Sequence, residues 1–148
     1  MSRLSALPRP IDVLPHRDPF LFVDELASLK PGQSAAGTWT LRGNEFFLPG
    51  HFPGRPTLPG VLMCEAIAQV GAIAVLTDDR FAGKLALFGG LDGARFRRQV
   101  VPGDTLWLEV ELGQMSARAG KGSGRARLGG PDGDVACSCD LLFVVVDT

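Results

Sequence analysis

Tyrosine is missing from the 148 residues, and histidine occurs only twice, as His16 and His51. Few groups are therefore left to move a proton near pH 7: one of the two imidazoles, or a carboxyl whose surroundings change its protonation. Cysteine is sparse as well, with Cys64, Cys137 and Cys139 an odd set. Cys137 and Cys139 alternate along an apparent strand, and no histidine or second cysteine pair completes a zinc spacing. The expectation is small buried thiols in a reduced, cytoplasmic protein, with no metal. Neither sign of charge is in excess, since fifteen Lys and Arg against sixteen Asp and Glu leave −1. No global field then favours nucleic acid or an anionic membrane. Long apolar runs are lacking too. The longest uncharged stretch around the apolar centre, residues 66–77, has twelve residues, against the roughly 20 that a membrane-spanning helix needs. Residues 1–10 hold two Arg and two Pro but no apolar segment, which argues against a secretion signal.

What is abundant is glycine and proline. Gly (19) and Pro (11) make up 30 of 148 residues, about 20% against an ordinary level of about 12%. The excess is local: four prolines and three glycines fill seven of the twelve positions in residues 49–60. Hydrophobic content of 45% with 21% charged residues excludes whole-chain disorder. A fibrous chain is excluded because the glycines have no period of three. The length suits one domain, residues 1–148, at roughly 150 residues per domain. Twelve Arg stand against three Lys, with Arg95, Arg97 and Arg98 clustered.

No internal repeat or linker divides the chain. One helical turn is expected around residues 11–14, a strand over residues 20–26, and a second over 35–41 ended by Arg42-Gly43-Asn44. Residues 49–60 cannot be regular, because proline removes donors and fixes φ. The one long helical stretch runs over residues 60–78, with Pro59 suited to its first turn. Val61, Leu62, Met63, Ile67, Val70, Ile73, Val75 and Leu76 make it apolar nearly all round, so it is buried inside something. Period-two patterns follow over residues 85–91, 105–112, 122–128 and 135–146. One buried helix followed by a run of strands predicts an α+β fold, with an antiparallel sheet covering the helix.

Two polar side chains interrupt that helix, Glu65 and Gln69, at i and i+4 on one face. A charged carboxylate is expensive there, and the neutral acid is favoured. The plain alternative is a structural partner for a buried backbone group or a subunit contact. His51 is framed by rigid and compact neighbours as Gly50-His51-Phe52-Pro53-Gly54, which can hold an imidazole beside a backbone-lined cavity. Its plain alternative is a turn histidine packed on Phe52. Gly60 opens the buried helix with free N–H groups and the positive end of the macrodipole, a place to stabilise oxyanion charge. A base, a neutral acid and an oxyanion donor form one set for proton abstraction next to a carbonyl. His16, between Pro15 and Arg17, reads as ordering the N-terminal segment rather than as the base.

The stretch Gly50-His51-Phe52-Pro53-Gly54-Arg55-Pro56-Thr57-Leu58-Pro59-Gly60-Val61-Leu62, followed by Glu65-Ala66-Ile67-Ala68-Gln69, closely resembles the β-hydroxyacyl–acyl-carrier-protein dehydratases of type II fatty acid synthesis. Leu14-Pro15-His16-Arg17, Pro19-Phe20-Leu21, Val23-Asp24, Asn44-Glu45, Arg95-Phe96 and Val101-Pro102-Gly103-Asp104 agree, so the resemblance covers nearly the whole chain. It implies a hot-dog fold, a long central helix wrapped by a curved antiparallel sheet. It also implies a catalytic pair, His51 and Glu65, supplied by different subunits of a homodimer that assembles to a hexamer. Gly60 would give its backbone amide to the thioester carbonyl, and Gln69 would support Glu65. No metal or organic cofactor is implied. The partner would be an acyl carrier protein bearing a 3-hydroxyacyl thioester, with no role for nucleic acid or membrane. Phe52, Phe88 and Phe96 are candidates for an acyl tunnel. Arg95, Arg97 and Arg98 are candidates for carrier docking, with Phe96 expected to point inward by strand alternation.

Two departures from the family pattern border the tunnel and docking surface. The usual Asn-Glu-Pro-Phe-Phe-Gln-Gly-His reads Asn44-Glu45-Phe46-Phe47-Leu48-Pro49-Gly50-His51, and Gly93 replaces a basic residue after Asp92. Chain length and partner are thereby left open, and with them a dehydratase or isomerase of a secondary-metabolite pathway. A thioesterase on the same fold would need a carboxylate aimed at the thioester carbonyl together with a water. A non-catalytic acyl-binding protein would have no use for the His–Glu pair.

Overall fold

The computed structural model describes residues 7–148. Residues 1–6, most of the stretch read as free of a secretion segment, lie outside them. A single turn, α1 (Pro10–Val13), precedes β1 (Glu25–Lys30) and β2 (Ser34–Thr40). The long helix α2 (Gly60–Leu76) and a 3-10 turn (Asp79–Phe81) follow. The chain ends in four long strands: β3 (Leu85–Phe96), β4 (Thr105–Met115), β5 (Ala119–Leu128) and β6 (Val135–Val146). Together the six strands form an antiparallel sheet in the order β1-β2-β4-β5-β6-β3, with β1 and β3 as its edges.

Helix α2 lies in the hollow of that sheet and packs against β2 through β6. Over residues 63–75 every residue except Glu65 is buried. This is what an all-round apolar helix requires, and the α+β arrangement of a central helix wrapped by an antiparallel sheet is the one expected. Small residues let the two layers approach. The inward positions of β5 are Gly120, Gly122, Gly124 and Ala126, alternating with Lys121, Ser123 and Arg125 outside. A Cβ on Gly124 would come within 2.3 Å of Ile67 Cγ2, and one on Gly71 of the helix within 2.5 Å of Phe143 Cζ. Leu106, Leu108 and Val110 of β4 and Leu141 and Phe143 of β6 complete the floor. Among the described residues, no helix is long and apolar enough to cross a membrane.

Strands β4 and β5 each extend further toward their shared turn than the sequence expectation, to Met115 and from Ala119. Three other boundaries differ, each for a local reason. The first strand begins at Glu25 rather than residue 20, because the backbone of Phe20 and Phe22 is bonded to the Gln69 side chain instead of a neighbouring strand. Helix α2 stops at Leu76. Thr77 Oγ1 donates to Ile73 O (2.7 Å), Gly32 N donates to the next helix carbonyl, Ala74 O (2.8 Å), and Asp78 caps the 3-10 turn through Arg80 N (3.0 Å). Strand β3 runs to Phe96 because bulges, between Phe88 and Gly90 and between Asp92 and Arg95, absorb its irregular pattern. Gly93 sits in the second bulge at φ +61, which explains a glycine there in place of a longer side chain.

Candidate active site

The Gly/Pro-rich segment is a self-bonded loop. His51 N donates to Leu48 O (2.9 Å), Thr57 N donates to His51 O (2.8 Å), and Phe52 and Arg55 exchange backbone hydrogen bonds of 3.0 and 2.9 Å. Pro53 and Gly54 occupy the centre of that last turn, and Gly54 has φ +71, a proline-then-glycine signature of a type II turn. The Asp18–Pro19 and His51–Phe52 peptides are cis. A further bond, Leu58 N to Val100 O (2.9 Å), ties the loop to the segment after β3.

His51 is held by its ring. Its Nδ1 lies 2.8 Å from Thr57 O. A carbonyl only accepts, so Nδ1 carries the hydrogen and Nε2 is left with its lone pair, the form of imidazole able to take a proton. Gln99 Nε2 donates to Thr57 Oγ1 (2.8 Å) and steadies the residue that orients the ring. Phe52 stacks on the imidazole with ring centroids 4.0 Å apart.

The loop delivers the chain to Pro59, the N-cap of α2, and then to Gly60. The Gly60 and Val61 amides find no acceptor among the described residues, as expected for the first turn of a helix. Glycine at this place answers a close approach. A Cβ on residue 60 would lie 2.8 Å from two ring carbons of Phe96. The Phe96 side chain therefore differs from the expectation of pointing inward: its ring covers Gly60 and is 51% exposed. The alternation argument fails because β3 is bulged just before Arg95 and ends at Phe96.

Glu65 faces a cavity of about 470 Å³, within the size range of small-molecule pockets. Phe20, Phe88 and Phe143 form part of its apolar wall, while His16, Glu65 and Gln69 bring polar groups to it. Gln69 is 1% exposed and fully used. Its Nε2 donates to Glu65 Oε2 (3.0 Å) and to Phe20 O (3.0 Å), while its Oε1 accepts from Phe22 N (2.8 Å). Gln69 thus binds the carboxyl and the 20–22 segment to the same helix. His16 Nε2 lies 3.6 Å from Glu65 Oε2.

The sequence candidates therefore fall into separate groups within one chain. Glu65, Gln69 and Phe88 share the cavity, Gly60 and Phe96 are in contact, and His51 is paired with Phe52 and Thr57. His51 and Glu65 of the same chain form no ion pair among the described residues. Arg95, Arg97 and Arg98 are all exposed, and Arg98 Nε lies 3.5 Å from Asp134 Oδ2. What sequence reasoning missed is His16 and Phe20, which reach the carboxyl's cavity from 45 to 49 positions away in the chain. The signals for His16 were that it is the second imidazole in a chain holding two and that it lies in Leu14-Pro15-His16-Arg17, a segment carrying the family resemblance.

Residues 14–137 match the family described as the FabA-like domain. A 3-hydroxyacyl-acyl-carrier-protein dehydratase FabZ of Moorella thermoacetica is 53% identical over 133 residues, 90% of this chain and 91% of the relative. Proteins of the same description from Clostridium novyi and Staphylococcus epidermidis are 49% and 47% identical, covering 90% and 91% of this chain and 92% and 91% of their own. Among solved structures, the dehydratase heterocomplex ApeI:P from Xenorhabdus doucetiae superposes with a TM-score of 0.81 at 16% identity, over 97% of this chain and 94% of that one. The PaaI protein of the E. coli phenylacetic acid degradation operon gives 0.63 at 16% identity, over 82% and 78%. At those identities the structures speak for the fold, which is the hot-dog fold.

Proposed function

We propose, from the premise that this chain belongs to the FabA-like domain family, that it is a 3-hydroxyacyl-acyl-carrier-protein dehydratase of fatty acid biosynthesis. The reaction converts a (3R)-3-hydroxyacyl thioester into a trans-2-enoyl thioester and water. The observation that carries this reading is Glu65. It is a carboxyl on an otherwise apolar helix, bonded by Gln69, opening into a cavity of about 470 Å³ with aromatic walls.

In the forward direction His51 Nε2 takes the C2 proton while the Gly60 N–H donates to the thioester oxygen and stabilises the charge developing there. The C2 electron pair forms the new double bond as the C3–O bond breaks. Protonated Glu65 gives its proton to the departing hydroxyl, which leaves as water. The proton on His51 returns to the Glu65 carboxylate through solvent, and the pair is reset.

His51 of one subunit works with Glu65 of the other in a homodimer, and dimers assemble to a hexamer. That His51 forms no ion pair with Glu65 of its own chain among the described residues and does not line the Glu65 cavity supports this, as does the edge position of β3, where Leu87, Phe88 and Leu91 are exposed. Phe52, Phe88 and Phe96 line the acyl path, and Arg95, Arg97 and Arg98 receive an acidic carrier protein. The enzyme works in the cytoplasm, where its three free thiols stay reduced.

The test is the pair itself. His51→Ala and Glu65→Gln are expected to lose about 10²–10⁴-fold in both dehydration and hydration while remaining folded. Mixed from unfolded chains, the two variants recover roughly a quarter of wild-type activity, because half the dimers are hybrids and each hybrid restores one site of two. Full activity in either single variant, or release of free thiol in place of enoyl product, overturns the reading.

A further inference from the structure

His16 is the second imidazole of the chain and lies outside the pair just described, yet it stands against the acid. Its Nε2 is 3.6 Å from Glu65 Oε2, with side chains 23% and 20% exposed. That is an ion-pair distance rather than a hydrogen bond, and such contacts tighten when substrate closes a site. The backbone carrying it is fixed. Arg17 Nη1 donates to Leu14 O (2.9 Å) and to His16 O (2.7 Å), Leu14 is buried in the core, and the segment is held further on by Gln69 at Phe20 and Phe22. The ring's other nitrogen, Nδ1, is buried with no protein partner among the described residues. A buried N–H without an acceptor is rarer and costlier than a lone pair without a donor. The hydrogen of neutral His16 therefore belongs on Nε2, the atom facing Glu65.

We propose that His16 is a positioning residue for the Glu65 acid. Gln69 Nε2–H already donates to Oε2 (3.0 Å), and His16 Nε2–H, facing the same oxygen at 3.6 Å, closes to donate there when substrate is bound. The transferable proton therefore resides on Oε1, the oxygen left to meet the substrate. Once that proton has gone to the departing hydroxyl, the same two donors hold the carboxylate that remains. The inference rests on Glu65 being the general acid.

The test uses the full chain in its native assembly and two donor-less variants, His16→Phe and His16→Ala, beside His16→Gln, which keeps an N–H. Loss of one hydrogen bond to a charged group is expected to lower kcat about tenfold or more with KM little changed, and His16→Gln to restore most of it. In the Glu65→Gln background, His16→Phe is expected to cost nothing further, since the two act as a unit. A folded donor-less variant with wild-type kcat, a Gln variant as slow as Phe and Ala, or costs that multiply with Glu65→Gln would each overturn the proposal. Failure of both donor-less variants to fold would assign His16 to the fold and overturn it equally. Glu65→Gln alone separates the premises: if it keeps full activity the acid assignment has failed, and if it is crippled while His16 variants are not, only this inference has.

Discussion

Replacing Gly60 with alanine separates a catalytic backbone from a structural one. A Cβ at this position would meet Phe96 Cδ1 and Cε1 at 2.8 Å and Cγ at 3.2 Å, where ordinary contact begins near 3.4 Å. Ring or helix start must therefore give way by about 0.6 Å or more, a displacement of the overpacking kind. Phe96 is 51% exposed at the end of an edge strand, so its ring can swing aside. That costs on the order of 0.5–1.5 kcal/mol of rotamer strain, against roughly 0.4–1 kcal/mol gained from a less flexible unfolded chain. The two nearly cancel, and the apparent melting temperature at fixed protein concentration should move by no more than about 4 °C. Catalysis should not be spared. Alanine keeps the N–H, so the loss is one of alignment and access: the added methyl beside the amide, or a helix start that yields in place of the ring, sets the donor off the thioester oxygen. With one oxyanion donor worth about 2.7–4 kcal/mol, forfeiting half of that lowers kcat at least about tenfold. Gly71→Ala is the control. Its Cβ would sit 2.5 Å from Phe143 Cζ, and Phe143 is 1% exposed with nowhere to go, so stability should fall by about 1–3 kcal/mol with activity per folded molecule unchanged. The assays are thermal melting and steady-state enoyl formation. If Gly60→Ala keeps kcat within about twofold, or loses it only in step with stability, the assignment of the Gly60 amide to the thioester carbonyl is refuted.

Two further outcomes follow from the surface. Reversing Arg95 and Arg97 to Glu should slow turnover of carrier-bound substrate several-fold and spare a short soluble thioester, with the difference shrinking in high salt; equal effects on both substrates would remove these residues from docking. At the end of α2, the Arg80 backbone N–H and then its guanidinium hold the Asp78 carboxyl below its ordinary value of 3.8. A depressed carboxyl contributes stability that is present above that value and lost as pH falls through the folded pKa. Asp78→Ala should therefore be less stable than wild type at neutral pH, with the gap closing below about pH 4 in pH-dependent unfolding; a gap that is constant with pH would contradict this.

Much of the fold could be read from pattern alone, because the features are local. The helix announces itself through apolar residues on every face, and β4 and β6 through period two. The ends were harder, since they depend on distant partners: Gly32 and Thr77 stop α2, and Gln69 keeps Phe20 and Phe22 out of the first strand. Phe96 was misread because alternation assumes an even strand, and β3 is bulged.

The chemistry divides along the same line. With no tyrosine and two histidines, composition alone restricted the proton-moving groups to His16, His51 and a carboxyl, and Glu65 was conspicuous as the one acid on an apolar helix. The excess of glycine and proline in residues 49–60 already marked an irregular loop. Which histidine stands beside Glu65 within the chain could not be read there. His16 is 49 positions away, and its distance to the carboxyl is set by Gln69, Arg17 and the core packing of Leu14, contacts that exist only once the sheet has closed around α2. Residue type is a property of the chain, whereas the tautomer and the orientation of a side chain are properties of what surrounds it. Thr57 O selects the His51 hydrogen, and an Nδ1 buried with no protein partner among the described residues selects that of His16.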